Sequence, residues 1–340
     1  MMERNSVASF VLVSLAAALP AQATFHADAG KALLPADVAV ERVAGGFRFV
    51  EGPVWRADKQ ELVFSDIPNN QWLVFAIDSA GCKPWKASEG ANGNTLDLQG
   101  LVVSCQHGAR NVVRHKADGS LEVLVDAVDG KPLNSPNDVA VRSDGSIWFT
   151  DPTYGLGQRE RQQPGNFVYR FDPAQKRATV VQRDFEMPNG ICFAPDQQTL
   201  YVADSGKPDR IGAFPVRGDG TLGTATMWFA GGADGIRCDS QGNLWTAARD
   251  GVRCYSADGE HLLTLALPEK PANLAFGGPK LDQLFVTART TLYRVQVAVA
   301  GAPVPAGASA GAARKPAAGG GEGGGGSGGA GGAKAGGKAK

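Results

Sequence analysis

No block of basic residues interrupts the central chain, and 34 Lys and Arg are matched by 34 Asp and Glu, so the formal net charge is zero. That balance leaves no electrostatic footprint for nucleic acid or an anionic membrane. Gly-x-Ser-x-Gly does not occur, which removes the nucleophile elbow of a serine hydrolase. Glycine loops of the Walker or dinucleotide type are missing outside the C-terminal tail, so phosphate cradling is not indicated. The four His, at 26, 107, 115 and 261, fall in no metal-ligand spacing, and His115 and His261 are expected at the surface. Five Cys form no Cys-x-x-Cys, and an odd count leaves at least one thiol free within the chain. Cys238 and Cys254 share one repeat and can approach, but spacing does not fix a pairing. Neither helical periodicity nor strand–helix alternation runs through the chain, which argues against a doubly wound parallel sheet.

What is present is an ordinary globular composition, 43% hydrophobic and 20% charged over 340 residues, enough for a sizeable core. The two ends differ from the rest. A polar start is followed by the apolar run Val7 to Leu19 and by Ala21-Gln22-Ala23, a small-x-small site of the kind signal peptidase reads. The run is too short for a hydrocarbon core of ~30 Å. Residues 1–23 are therefore expected to be a signal peptide, with a mature start near Thr24 and export to the periplasm or the medium. Residues 24–35 form a lead segment and 36–298 the folded domain. From 299 to 340 the chain is dominated by Gly, Ala and Lys, too poor in large apolar groups to offset the entropy of ordering, and is expected to be a disordered tail.

Inside the folded part a unit repeats. A turn rich in Asp, Gly or Gln precedes a strand-like triplet six times: Leu62-Val63-Phe64, Val102-Val103-Ser104, Ile147-Trp148-Phe149, Leu200-Tyr201-Val202, Leu244-Trp245-Thr246 and Leu284-Phe285-Val286. The triplets are 40, 45, 53, 44 and 40 residues apart. A second apolar run precedes each, as in Val139-Ala140-Val141, and runs such as Phe167–Phe171 and 178–181 follow. Four strands per ~40–45 residues is the period of a propeller blade. The fold class is all-β, a six-bladed β-propeller with four-stranded blades. Residues 37–43 read as a lone strand, and the sixth unit ends early, so the N-terminal strand is expected to complete the last blade and close the ring. Trp and Phe sit in or beside the triplets, where packing between blades accounts for them.

The repeat also places polar side chains in phase. Ten or eleven residues before each triplet stand Glu51, Asn92, Asn137, Asn189, Asp234 and Asn273. In a ring these positions converge on the axis, where confined oxygens require a common partner. Oxygen-only donors favour a hard cation, Ca²⁺ or Mg²⁺ before Zn²⁺. The competing reading is that Asn-Gly, Asp-Gly and Glu-Gly steps are only turn formers; six at one phase weigh against it.

Glu51-Gly52-Pro53-Val54-Trp55, Ser135-Pro136-Asn137-Asp138 with 143–152, Met187-Pro188-Asn189-Gly190, and Asp234-Gly235-Ile236 with 239–245 together resemble the gluconolactonase/regucalcin-like family over residues 50–290. The resemblance implies a six-bladed propeller with one divalent ion, Ca²⁺ foremost and Mg²⁺, Mn²⁺ or Zn²⁺ as alternatives, at the mouth of the channel. It implies Glu51, Asn189 and Asp234 as ligands, with Asn137 beside them as a further ligand or a substrate contact. Asn92 and His107 resemble second-blade substrate-binding positions of the bacterial branch, where Gln106 departs from the Glu expected before the His.

Such a site can draw in a lactone carbonyl and stabilise the tetrahedral oxyanion, with water as nucleophile. Asp234 is the candidate to receive the proton, although its basicity falls beside a cation and activation of water by the ion itself is the competing route. Asn137 would orient the substrate and Tyr154 line the rim. The partner expected is a small-molecule lactone, with no nucleic acid, no membrane span and no obligate protein partner. Two other readings stay open: a non-catalytic propeller that binds a protein or glycan around a structural ion, and a hydrolase of phosphotriesters.

Overall fold

Each of the six triplets lies in the second strand of an antiparallel sheet of four or five strands, and each is buried throughout. Burial on both strand faces follows from stacking sheet against sheet around an axis, so the apolar residues need not alternate with polar ones. The computed structural model describes residues 18–79 and 81–305. Its innermost strands, in order of blades one to six, are Val50–Arg56, Ala91–Leu96, Val139–Val141, Pro188–Phe193, Ile236–Cys238 and Asn273–Gly277. Their second strands are Glu61–Asp66, Val102–Gln106, Ile147–Asp151, Thr199–Asp204, Leu244–Ala248 and Gln283–Ala288.

Ring closure has the expected form. Ala39–Gly45 pairs antiparallel with Thr291–Gln296 as the fourth strand of blade six, Val40 opposite Val295 and Gly45 opposite Thr291. The N-terminal chain adds more than this. Ala18–Pro20 pairs with residues 39–41 as a fifth strand of blade six, and Ala23–Phe25 pairs with residues 263–265 as a fifth strand of blade five. The expected cleavage point after Ala23 thus falls inside a short strand, while residues 1–17 lie outside the described residues. At the other end the packed chain continues past Ala298. Val299 is buried, Gly301 bridges Asp239, and the remainder of the Gly-rich segment from residue 306 lies outside the described residues.

Aromatic side chains fill the spaces between blades. Trp72, Trp148 and Trp245 are wholly enclosed, and each indole N–H finds an acceptor: Asn94 Oδ1, Ser146 Oγ and Asp239 Oδ2. That pairing removes the cost of a buried donor. His115 corrects the expectation of a surface position. It is buried in blade two, 3.0 Å from Ser104 Oγ through Nε2 and stacked on Trp85 at 4.7 Å. His261 is part-buried and stacks on His26. All five cysteines are free thiols, and the sulfur in contact with Cys238 is that of Cys192 rather than Cys254. Among the described residues no helix is long and apolar enough to cross a membrane.

Candidate active site

The inner strands begin irregularly, and that irregularity aims the functional groups. In blades one, two and four the pairing with the second strand shifts register between Glu51 and Val54, Ala91 and Asn94, and Pro188 and Ile191. A bulge of this kind turns a side chain out of the ladder, here Glu51, Asn92 and Asn189 toward the axis. In blades three and five the equivalent residues precede the strand. The N–H of Asn137 donates to Thr150 O at 2.8 Å and that of Asp234 to Ala247 O at 2.9 Å, so both positions are pinned to the second strand.

The glycine after four of these residues serves a purpose other than turning. Gly190 donates its N–H to Asp234 O at 2.9 Å, and a Cβ on it would sit 2.3 Å from that oxygen. Gly52, at φ +55, would place a Cβ 2.1 Å from Asn92 O. The missing side chain lets the functional residue of one blade touch that of the next, which draws the groups into a single ring.

Glu51, Asn92, His107, Asn137, Tyr154, Asn189 and Asp234 all line one cavity of about 260 Å³ at this end of the channel. Asn273 does not. Its amide donates to Glu51 Oε2 at 3.0 Å while its Oδ1 accepts the N–H of Leu274 at 2.8 Å, so the sixth phase-matched group stands behind Glu51 and orients it. Glu51 Oε2 also accepts the Gly52 N–H at 2.5 Å. Asn189 donates to Ser205 Oγ at 3.2 Å, and Ser205 in turn donates to Ala233 O at 3.1 Å. Asn92 Nδ2 lies 3.0 Å from His107 Nε2, an arrangement in which the ring nitrogen accepts. Burial, then the Arg159 guanidinium, pushes the His107 imidazole down to about 4 and keeps it neutral as acceptor. Tyr154 stands at the rim, 45% exposed.

Several contributors carry no repeat signal. Ser205, Asp209, Arg249 and Lys270 reach the cavity from loops above the blades. Arg249 is paired loosely with Asp209 at 3.7 Å, and no carboxylate stands within 4.0 Å of Lys270 among the described residues. Beneath the cavity, Asp138 is 1% exposed and pairs with Arg237, Nη1 to Oδ2 at 3.0 Å and Nη2 to Oδ1 at 3.4 Å. Arg237 also lines a second, mainly apolar cavity lower in the channel. Gln106, where a Glu was expected, is bound structurally: its Oε1 accepts the Glu89 N–H and its Nε2 donates to Asn111 Oδ1.

The electrostatics call for a cation. Burial, followed by the charges of Asp234 and Asp138, drives the Glu51 carboxyl well above its ordinary value. Burial is also the main cause that lifts Asp234 to about 6. Asn92 Oδ1 is a buried acceptor with no hydrogen-bond partner. Two crowded carboxylates and an orphaned amide oxygen around one cavity suit a hard divalent ion, which would neutralise the first and employ oxygens like the last. The donor set is poor in the groups that mark commoner metal sites: among the described residues no three His, Cys, Asp or Glu side chains gather in a metal-binding arrangement. Among the described residues, Glu51 and Asp234 are the only carboxylates of the inner strands and their lead-ins that line this cavity, and the other donors from those segments are amides.

Comparison with known proteins agrees with the propeller fold. Residues 49–290 match the family described as the SMP-30/Gluconolactonase/LRE-like region. A gluconolactonase of Zymomonas mobilis is 29% identical over 296 residues, covering 78% of this chain and 83% of its own. A 6-deoxy-6-sulfogluconolactonase of Pseudomonas putida is 30% identical over 248 residues, 70% of this chain and 82% of its own. The solved structure of a Xanthomonas campestris gluconolactonase superposes with a TM-score of 0.78 at 32% identity, covering 84% of this chain and 99% of that one. Propeller, polar well and relatives together define a lactone-hydrolysing enzyme. The chain belongs to the SMP-30/gluconolactonase/LRE-like family.

Proposed function

We propose that this enzyme hydrolyses sugar lactones, gluconolactone and its close relatives, in the upper cavity of the channel, with a divalent cation, calcium foremost, as cofactor. The observation that carries the reading is the convergence of Glu51, Asn92, Asn137, Asn189 and Asp234 on one cavity in a chain of this family. The names of the Zymomonas and Pseudomonas relatives indicate the substrate class. Glu51, Asn189 and Asp234 would hold the ion, with Asn137 beside them. When bound, such an ion supplies positive charge to the oxyanion that develops on the lactone carbonyl.

The chain's own groups do the rest. Asp234 accepts the proton of the attacking water at a carboxylate oxygen and returns it to the ring oxygen as the acyl bond breaks, so that water is added across the ester and the product is the open hydroxy acid. Asn137 orients the substrate with its amide N–H. Asn92, fixed by neutral His107, forms part of the cavity wall, and Tyr154 closes one side of the rim. Export, inferred from the N-terminal segment, would put this chemistry in the periplasm or the medium.

A proton-release assay with an aldonolactone panel tests the proposal. Chelator-treated protein should be inactive, a divalent ion should restore turnover, and Asp234→Ala should abolish it while leaving the fold intact by circular dichroism. Full turnover in Asp234→Ala, or in the chelated protein, would overturn the assigned roles.

A further inference from the structure

The lower cavity holds a pair of cysteines that the hydrolytic chemistry does not use. Cys192 is the last residue but one of the inner strand of blade four and Cys238 the last of that of blade five, and their sulfurs are 3.9 Å apart. Both side chains are nearly enclosed, at 6% and 4% exposure, yet both line the cavity of about 310 Å³ below the Asp138–Arg237 pair. The final described segment, Ala302–Pro305, borders the same space. Cys192 is three residues beyond Asn189 and Cys238 four beyond Asp234. The sulfurs therefore face each other across the seam between the inner strands of blades four and five, a seam already joined by the Gly190 N–H to Asp234 O hydrogen bond.

We infer that Cys192 and Cys238 form a disulfide under oxidising conditions, a redox-controlled staple between blades four and five at the floor of the channel. Sulfurs in van der Waals contact on adjacent strands need only small side-chain rotations to reach a bond of ~2.05 Å. The remaining cysteines offer no comparable pair, since among the described residues no other two thiols are in contact. The reaction is thiol–disulfide exchange with a small-molecule disulfide such as oxidised glutathione. One cysteine, as thiolate, attacks a sulfur of the reagent, forming a mixed disulfide and releasing one glutathione thiolate. The second cysteine gives up its proton to solvent and attacks the protein-side sulfur, forming the Cys192–Cys238 bond and releasing the second glutathione. Both cysteine sulfurs are oxidised and the reagent is reduced to two thiols.

Contact with Cys192, and then enclosure, holds the Cys238 thiol far above its ordinary value, so exchange in the native state is slow and oxidation of the pair is gradual. Once formed, the bond holds together the strand that bears Asn189 and the one that follows Asp234, and reduction releases them. The inference rests on the placement of the two sulfurs and is independent of the lactonase reading.

The test is peptide mapping of the native full-length protein after incubation with oxidised glutathione. The expected product is two hydrogens lighter than the reduced chain and yields one cross-linked peptide pair containing Cys192 and Cys238. Its melting temperature should exceed that of the reduced protein by ~5 °C or more, and dithiothreitol should reverse both changes. Cys192→Ala and Cys238→Ala should each remove the mass change and the thermal shift, whereas Cys82→Ser should retain both. If either single variant fails to fold, mapping of the wild type alone decides. Quantitative alkylation of both thiols after oxidation, a stable glutathione adduct on one of them, or a cross-link between other cysteines would overturn the proposal.

Discussion

Replacement of Arg237 by Met removes one half of the ion pair on which the floor of the active site rests. Asp138 is 1% exposed, and its other hydrogen bonds are to the backbone N–H of Val139 at 2.9 Å and of Ile191 at 3.4 Å. Neither supplies a full countercharge. Removing one partner of a buried pair leaves an uncompensated charge and costs about 3–5 kcal/mol. In a folded domain of this size that corresponds to a fall in Tm of roughly 5–9 °C. Asp138 also raises the proton affinity of Glu51 and Asp234. Freed from Arg237, its field on the upper cavity strengthens, so cation binding should tighten even as the fold weakens. Urea unfolding gives the first quantity and calorimetric titration with Ca²⁺ the second. The double variant Asp138→Asn/Arg237→Met removes the stranded charge and should regain most of the lost stability. A single variant within about 0.5 kcal/mol of wild type, or a double variant no better than the single, would refute the reasoning. So would loss of cation affinity in parallel with stability, which is the signature of general loosening.

Three further outcomes follow from the same structure. Asn273→Ala strips Glu51 of a charge-assisted hydrogen bond worth about 1.5–3 kcal/mol; titration calorimetry should find cation affinity reduced about tenfold or more, with the fold retained. Gly190→Ala puts a Cβ 2.3 Å from Asp234 O, and the forced parting of blades four and five should lower unfolding free energy by about 1–3 kcal/mol or more, read from the urea midpoint. His115 is held by burial, then by Lys86 and Arg56, at about 3 against 6.5 when unperturbed. Only the unfolded chain then takes up its proton between these values, so this contribution to stability is complete above pH 6.5 and is lost as pH falls toward 3. At pH 4.5 the loss is about 2–3 kcal/mol, and His115→Asn should be less acid-sensitive than wild type by that amount in urea titrations at pH 7 and 4.5.

The strands and the blade count are legible in the chain because each second strand is enclosed on both faces and must be apolar, as in Ile147-Trp148-Phe149 and Leu284-Phe285-Val286. The phase of Glu51, Asn92, Asn137, Asn189 and Asp234 is legible for a related reason: a ring puts equivalent positions at one level. Equivalence stops at the side chain. Asn273 has the phase of the others, but its amide turns to Glu51, and the repeat does not encode which neighbour an amide selects. The Asp138–Arg237 pair joins blades three and five, 99 residues apart in sequence, and no local pattern announces such a contact. His115 is a polar residue enclosed by Trp72 and Trp85, so composition alone places it outside. Residues 18–23 read as the end of a signal peptide and 24–25 as the start of the lead segment, and only the free edges of blades five and six give them strands to pair with.

The central claim is that one divalent cation sits at the upper end of the channel. The measurement that tests it most directly is anomalous scattering from crystals of the full chain grown with Mn²⁺ in place of calcium. The account predicts one strong peak within the upper cavity, bounded by Glu51, Asn189 and Asp234, which is absent from Glu51→Gln/Asp234→Asn crystals under the same conditions. A peak elsewhere on the molecule with that cavity empty, or one undiminished in the double variant, would contradict it.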